Sequence, residues 1–111
     1  MQSTRLAKLL DFLESDPNDP FVLYALATEY NAVNDHEKAF EYYLKLTSGH
    51  PNYVGTYYHL GKLYEKTGQA DLAIATYQKG MISAKNKRDM HAFSELQGAY
   101  NSVAGLDYED D

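Results

Sequence analysis

The chain has 111 residues and no cysteine, which allows one domain with a modest core and excludes disulfides and thiolate metal sites. Four of the sixteen acidic residues fall in the last five positions, Asp107 to Asp111, so the formal charge of −6 leaves only about −2 on the rest of the chain. That balance, with a single short basic cluster at Lys85, Lys87 and Arg88, offers none of the basic surface that nucleic-acid binding requires. Aromatic residues make up 14% of the chain, as eleven Tyr and four Phe with no Trp.

In chain order, residues 3–15 read as a first helix. Asp11 and Glu14 interrupt its apolar run, no small-residue cleavage site follows, and it is far shorter than the roughly 18 residues of a membrane span. The expectation is a cytoplasmic protein. A second helix starts at Asp19-Pro20, with Asp as N-cap and Pro in the first turn, and runs to about Val33, where Asn34 ends it. A third, from about His36 to Ser48, stops at Gly49 with Pro51 beyond it. The fourth covers about 54–67 and ends at Gly68, which takes a positive φ at little cost. The fifth covers about 70–83, a solvated connection holds the basic cluster, and the sixth runs over about 88–103. Residues 105–111 form an acidic tail, expected to be a disordered solubilising end.

The chain also repeats itself. Shifted by 34 residues, Tyr24 falls on Tyr58, Leu26 on Leu60, Ala27 on Gly61, Tyr30 on Tyr64, Asn34 on Gly68, Ala39 on Ala73 and Tyr43 on Tyr77. Each unit therefore holds two helices with apolar stripes. Small residues at Gly61 and Ala73 allow the pair to approach closely, and Tyr64 and Tyr77 cover the space beside them.

These residues resemble the tetratricopeptide repeat, a helix-turn-helix motif. The first copy supplies Leu23, Leu26, Ala27, Tyr30, Ala39, Tyr43, Leu46 and Pro51. The second supplies Tyr57, Leu60, Gly61, Tyr64, Ala73, Tyr77 and Gly80, with Lys85 where Pro is usual. The match covers residues 20–85. The flanks look like partial repeats. Leu9, Phe12 and Pro17 precede Tyr43, Leu46 and Pro51 by 34 positions, and Phe93, Leu96 and Tyr100 follow Tyr57, Leu60 and Tyr64 by 36, after a two-residue insertion placed in the loop. The resemblance implies an all-α fold, a short right-handed α-solenoid of about six helices. Residues 1–104 then form a single domain: a partial repeat helix at 3–15, repeats at 20–53 and 54–87, and a capping helix at 88–103, where Gln97 replaces a small residue.

Such a solenoid implies a concave groove lined by the first helix of each repeat. Beside the core stripe lie Tyr58, Lys62 and Glu65 with His59 adjacent in the second repeat, and Tyr24, Thr28 and Asn31 in the first. On the last helix lie Ser94, Gly98 and Asn101, with His91 and Glu95 nearby. Stacked tyrosines with a lysine and a histidine suit a peptide, since tyrosine offers a rigid contact and a hydrogen-bonding tip. Family members that grip a chaperone's C-terminal carboxylate resemble one another in a Lys-Asn-Asn-Lys-Arg set. The matching positions here are Tyr24, Thr28, His59, His91 and Glu95. None keeps the expected residue, so that activity is not carried over.

His91 and Glu95 stand at i, i+4 and His59 is placed to approach them, but the spacing reads as a surface pair and no metal is expected. His36 and His50 read as loop residues. Without a phosphate-cradling glycine loop, a serine elbow or a cysteine nucleophile, no enzyme and no cofactor are expected. The expectation is a protein–protein interaction module, a non-catalytic scaffold or adaptor that holds a peptide segment of a protein partner, with no nucleic acid or membrane among its ligands. The alternative is a self-assembling structural module, a homo-oligomer such as a homodimer, joined through Leu6, Leu9, Leu13, Val103 and Leu106 at the solenoid ends.

Overall fold

The computed structural model of the protein describes residues 4–105, which form six helices and, among the described residues, no strand. They are α1 (Thr4–Ser15), α2 (Pro20–Ala32), α3 (His36–Gly49), α4 (Gly55–Lys66), α5 (Ala70–Asn86) and α6 (Met90–Val103). Residues up to Pro51 make one compact unit and those from Asn52 a second. The all-α repeat fold expected from the sequence is present. The acidic tail from 106 onward and Leu106 lie outside the described residues.

In the first unit, the Asp19 carboxylate accepts hydrogen bonds from the Phe21 N–H at 2.9 Å and the Val22 N–H at 3.5 Å, and Pro20 opens α2. Two of the four orphan donors at the helix start are thereby satisfied. Asn34, at φ 63°, turns the chain, and Asp35 caps α3 through the Lys38 N–H at 3.2 Å. Leu23, Leu26 and Ala27 of α2 and Ala39, Tyr43 and Leu46 of α3 have no exposed surface. Full burial of the three leucines among them stabilises by about 1.5–3 kcal/mol each before entropy is counted. Tyr30 and Tyr42 stack in parallel, centroids 5.8 Å apart. An imidazole nitrogen of His50 lies 2.6 Å from the Asn18 carbonyl, so the connection before α2 is tied to the end of α3.

One expectation about the first helix changes. Leu6 and Leu9 are not free ends for self-association: α1 packs on α2 and buries both, and Leu13 is half-buried. Phe12, in register with the fully buried Leu46, is 60% exposed, because no helix in its unit covers that side of α1. With the exposed Phe21 it borders an open depression of about 580 Å3 rimmed by Arg5 and Lys8.

The second unit repeats the scheme and adds a helix. Gly68, at φ 77°, turns α4 into α5. Gly61 of α4 sits directly beneath the Tyr77 ring of α5, so a Cβ there would lie 2.2 Å from a ring carbon. Gly80 meets Tyr57 in the same way, with a Cβ 2.5 Å from that of the tyrosine and 3.1 Å from Leu96. Around these contacts Val54, Tyr57, Ala73, Tyr77, Ala84, Leu96 and Ala99 form one buried cluster, and Val103 is half-buried against it.

Helix α5 runs three residues past the expected end, to Asn86, and α6 starts at Met90 rather than 88. The reason lies at position 85. The first repeat carries Pro51 there, while Lys85 leaves the ladder intact and the Lys87 N–H still reaches the Ser83 carbonyl at 3.1 Å. The insertion thus lengthens the helix rather than the loop. Lys85 lies on α5 with its ammonium 5.8 Å from the Phe93 ring centroid, not in a solvated connection. Arg88, at φ 58°, ends the run, and Asp89 caps α6 through the Ala92 N–H at 3.0 Å.

Single methyl groups test the helix separation. Gly61→Ala and Gly80→Ala are each expected to destabilise by about 1–3 kcal/mol through overpacking. Gly98→Ala, whose Cβ would meet nothing within 4 Å, should stabilise by about 0.5–1 kcal/mol. Urea midpoints report both. An unchanged midpoint in Gly61→Ala would show that the Tyr77 contact does not set the spacing of α4 and α5.

Candidate functional site

Helices α4 and α6 pack side by side in the second unit and carry nine of the twelve groove residues singled out from the sequence. On α4, Tyr58, Lys62 and Glu65 follow i, i+4, i+7 spacing and share a stripe. The Lys62 ammonium lies 5.5 Å from the Tyr58 ring centroid and 3.8 Å from a Glu65 carboxylate oxygen. Tyr58 is half-buried and meets the His59 imidazole edge-on, centroids 5.7 Å apart at 88°.

Glu65 has a second partner that the stripe did not foretell. The hydroxyl of Tyr77, whose ring fills the space over Gly61, donates a hydrogen bond to its carboxylate. Burial pushes the Tyr77 phenol well above its ordinary range, and the hydrogen bond to Glu65, the Glu65 charge and Tyr58 add to that. Glu65 therefore joins the core of the repeat to its surface. One signal in the sequence could have found it: a tyrosine on a core stripe needs a partner for its hydroxyl.

His59 of α4 lies within electrostatic reach of Glu95 on α6. Burial lowers the pKa of the His59 imidazole below its ordinary value, and the Glu95 charge opposes that more weakly. Glu95 also lies 3.6 Å from Nε2 of the exposed His91. Among the described residues, no group of three or more His, Cys, Asp or Glu side chains is arranged to hold a metal ion.

In the first unit, Tyr24 is half-buried, and the exposed Thr28 turns its hydroxyl onto the Tyr24 carbonyl of its own helix at 2.8 Å. Asn31, in register with Glu65, has a buried Oδ1 without a hydrogen-bond partner among the described residues. Tyr43, in register with Tyr77, has its phenol raised chiefly by burial, with Thr28 opposing. The stripe on α2 carries no charged side chain.

The family model of the tetratricopeptide repeat matches residues 22–48 and 54–81. A tetratricopeptide repeat domain protein from Salinibacter ruber is 43% identical in its crystal structure, which aligns over 80% of this chain and 100% of its own at a TM-score of 0.76. The chain belongs to the tetratricopeptide repeat family. The solution structure of the Salinibacter ruber domain agrees, at 41% identity, 86% and 99% coverage and a TM-score of 0.77. A Bordetella parapertussis protein, 20% identical over 96% of this chain and 92% of its own, shares the fold at a TM-score of 0.79. No curated protein matches the sequence. Tetratricopeptide repeats generally mediate protein–protein interaction and are typically non-catalytic. No helix among the described residues of this repeat protein is long and apolar enough to cross a membrane.

Two measurements probe the electrostatics of these repeats. Because the folded His59 binds its proton less readily than the unfolded chain does, its contribution to stability is present above about pH 6.5 and lost as the pH falls through the folded value. Urea unfolding should show a decline below that pH that flattens in His59→Gln. A double-mutant cycle of Tyr77→Phe and Glu65→Gln should return a coupling energy of about 0.5–1.5 kcal/mol. Simple additivity would mean that the hydroxyl and carboxylate act independently.

Proposed function

We propose that this chain is an interaction module that receives a peptide segment of a partner protein on the helix face bearing Tyr58 and Lys62, without catalysing any reaction. The observation that carries the reading is the arrangement on α4: a half-buried tyrosine ring beside a lysine, and the Glu65 carboxylate held from beneath by the Tyr77 hydroxyl. Tyr58 and Lys62 each make contacts within their own helix, and Glu65 is fixed by a core residue, so the face is largely arranged before a ligand arrives. A preorganised face loses less side-chain freedom on binding than a loose one. Aromatic anchors of this kind dominate the energetics of many interfaces. Binding of this type runs on shape and a few polar anchors, and an extended or helical segment fits it equally.

The test compares proteins retained from native cell extract by wild type and by a Tyr58→Ala/Lys62→Ala variant, with folding of both checked by circular dichroism. A partner held by wild type and lost with the folded variant is the expected result. Capture of one common set by both would remove the α4 face as the site. Capture only of further copies of the chain, with mass rising with concentration, would favour a self-assembling module instead.

A further inference from the structure

We infer that the face formed by α4 and α6 selects a peptide carrying a cationic side chain, with Glu95 as the counter-ion. This deepens the reading of that face as a peptide site and rests on it.

The argument is an inventory of charge. Lysine 62 is the cation on the α4 stripe, and it is already committed: Glu65 lies 3.8 Å away and the Tyr58 ring lies beneath the ammonium. Glu65 is in turn held by the Tyr77 hydroxyl. These groups cancel one another and leave little field for an incoming anion. Lys66 stands one residue beyond Glu65, about 100° round the helix from it, and so off the stripe.

Glu95 is different. Its side chain is 56% exposed, and burial disfavours the charged form of His59, the α4 group on which its charge acts, more strongly than that charge favours it. Its remaining neighbour is the exposed imidazole of His91 on the same helix. The face therefore presents a half-exposed carboxylate whose neighbours are imidazoles, His91 on its own helix and His59 on α4, and the His59 ring in turn meets the Tyr58 ring edge-on. An arginine or lysine side chain placed there meets an opposite charge and aromatic surface together. An acidic segment meets Glu95 as a like charge and a lysine that must first leave Glu65.

The test uses two degenerate peptide pools of equal length, acetylated and amidated, that differ only in a fixed central Arg or a fixed central Glu. Amide shifts of the 15N-labelled full chain follow the titration. The amides of residues 58–62 and 91–95 are expected to move with the Arg pool at about tenfold lower concentration than with the Glu pool. Raising the salt to about 0.5 M should narrow the gap. Glu95→Gln should abolish the preference, while Glu41→Gln on α3 should leave it intact. Equal or better binding of the Glu pool, or a preference that survives Glu95→Gln, overturns the assignment. If the extract yields a partner through Tyr58 and Lys62 but its segment is acidic, the peptide site stands and the charge selection falls. If neither pool moves these amides and the extract yields nothing through α4, the site itself falls with it.

Discussion

The close approach of α4 and α5 at Gly61 is the constraint on which the second unit is built. A tyrosine ring lies where any other residue would place its Cβ, so backbone and ring share space that elsewhere separates two side chains. The same bargain recurs one turn further on, where Gly80 lets Tyr57 of α4 pack against α5 with Leu96 of α6 beside it. Ala27 and Tyr43 hold the corresponding positions in the first unit, both without exposed surface. Interiors packed at crystal-like density have little room to absorb an extra methyl group, which is why small residues at these points act as spacers rather than as filler.

From this contact the fold reaches the surface through one side chain. The Tyr77 ring belongs to the core, its hydroxyl belongs to Glu65, and Glu65 belongs to the face that carries Lys62 and Tyr58. The surface lysine is thus positioned by a chain of contacts that starts at a glycine. The first unit differs: Asn31 replaces Glu65, the stripe there is uncharged, and a buried amide oxygen is left without a partner among the described residues. Two copies of one motif therefore share a core and diverge in what they display, as expected when packing fixes the scaffold and function resides in residues grafted onto it.

Much of the scaffold was legible in the sequence, and for physical reasons. The 34-residue period, the caps at Asp19, Asn34 and Gly68, and the small-residue positions are backbone and packing requirements with few solutions. The helix ends that differ do so where a strong local stop is missing: without a proline at position 85, α5 continues to Asn86. Phe12 shares the register of Leu46 yet is exposed, since register says which side of a helix is apolar, not whether a neighbour covers it. The candidate site was half legible. Spacing aligned Tyr58, Lys62 and Glu65, but it could not show that Tyr77, twelve positions after Glu65, would claim the carboxylate, because that contact depends on how two helices dock.

The tie between His50 and Asn18 has a consequence for how the chain is made. It joins residues 32 positions apart, and the Gly61–Tyr77 and Tyr57–Gly80 contacts span still shorter stretches. Topologies dominated by such local pairings search little conformational space and fold quickly. Everything the first unit needs, from α1 to the imidazole that fastens its end, is encoded before Pro51. On a ribosome, where chains emerge N-terminus first, its pairings become available while α4 to α6 are still being synthesised.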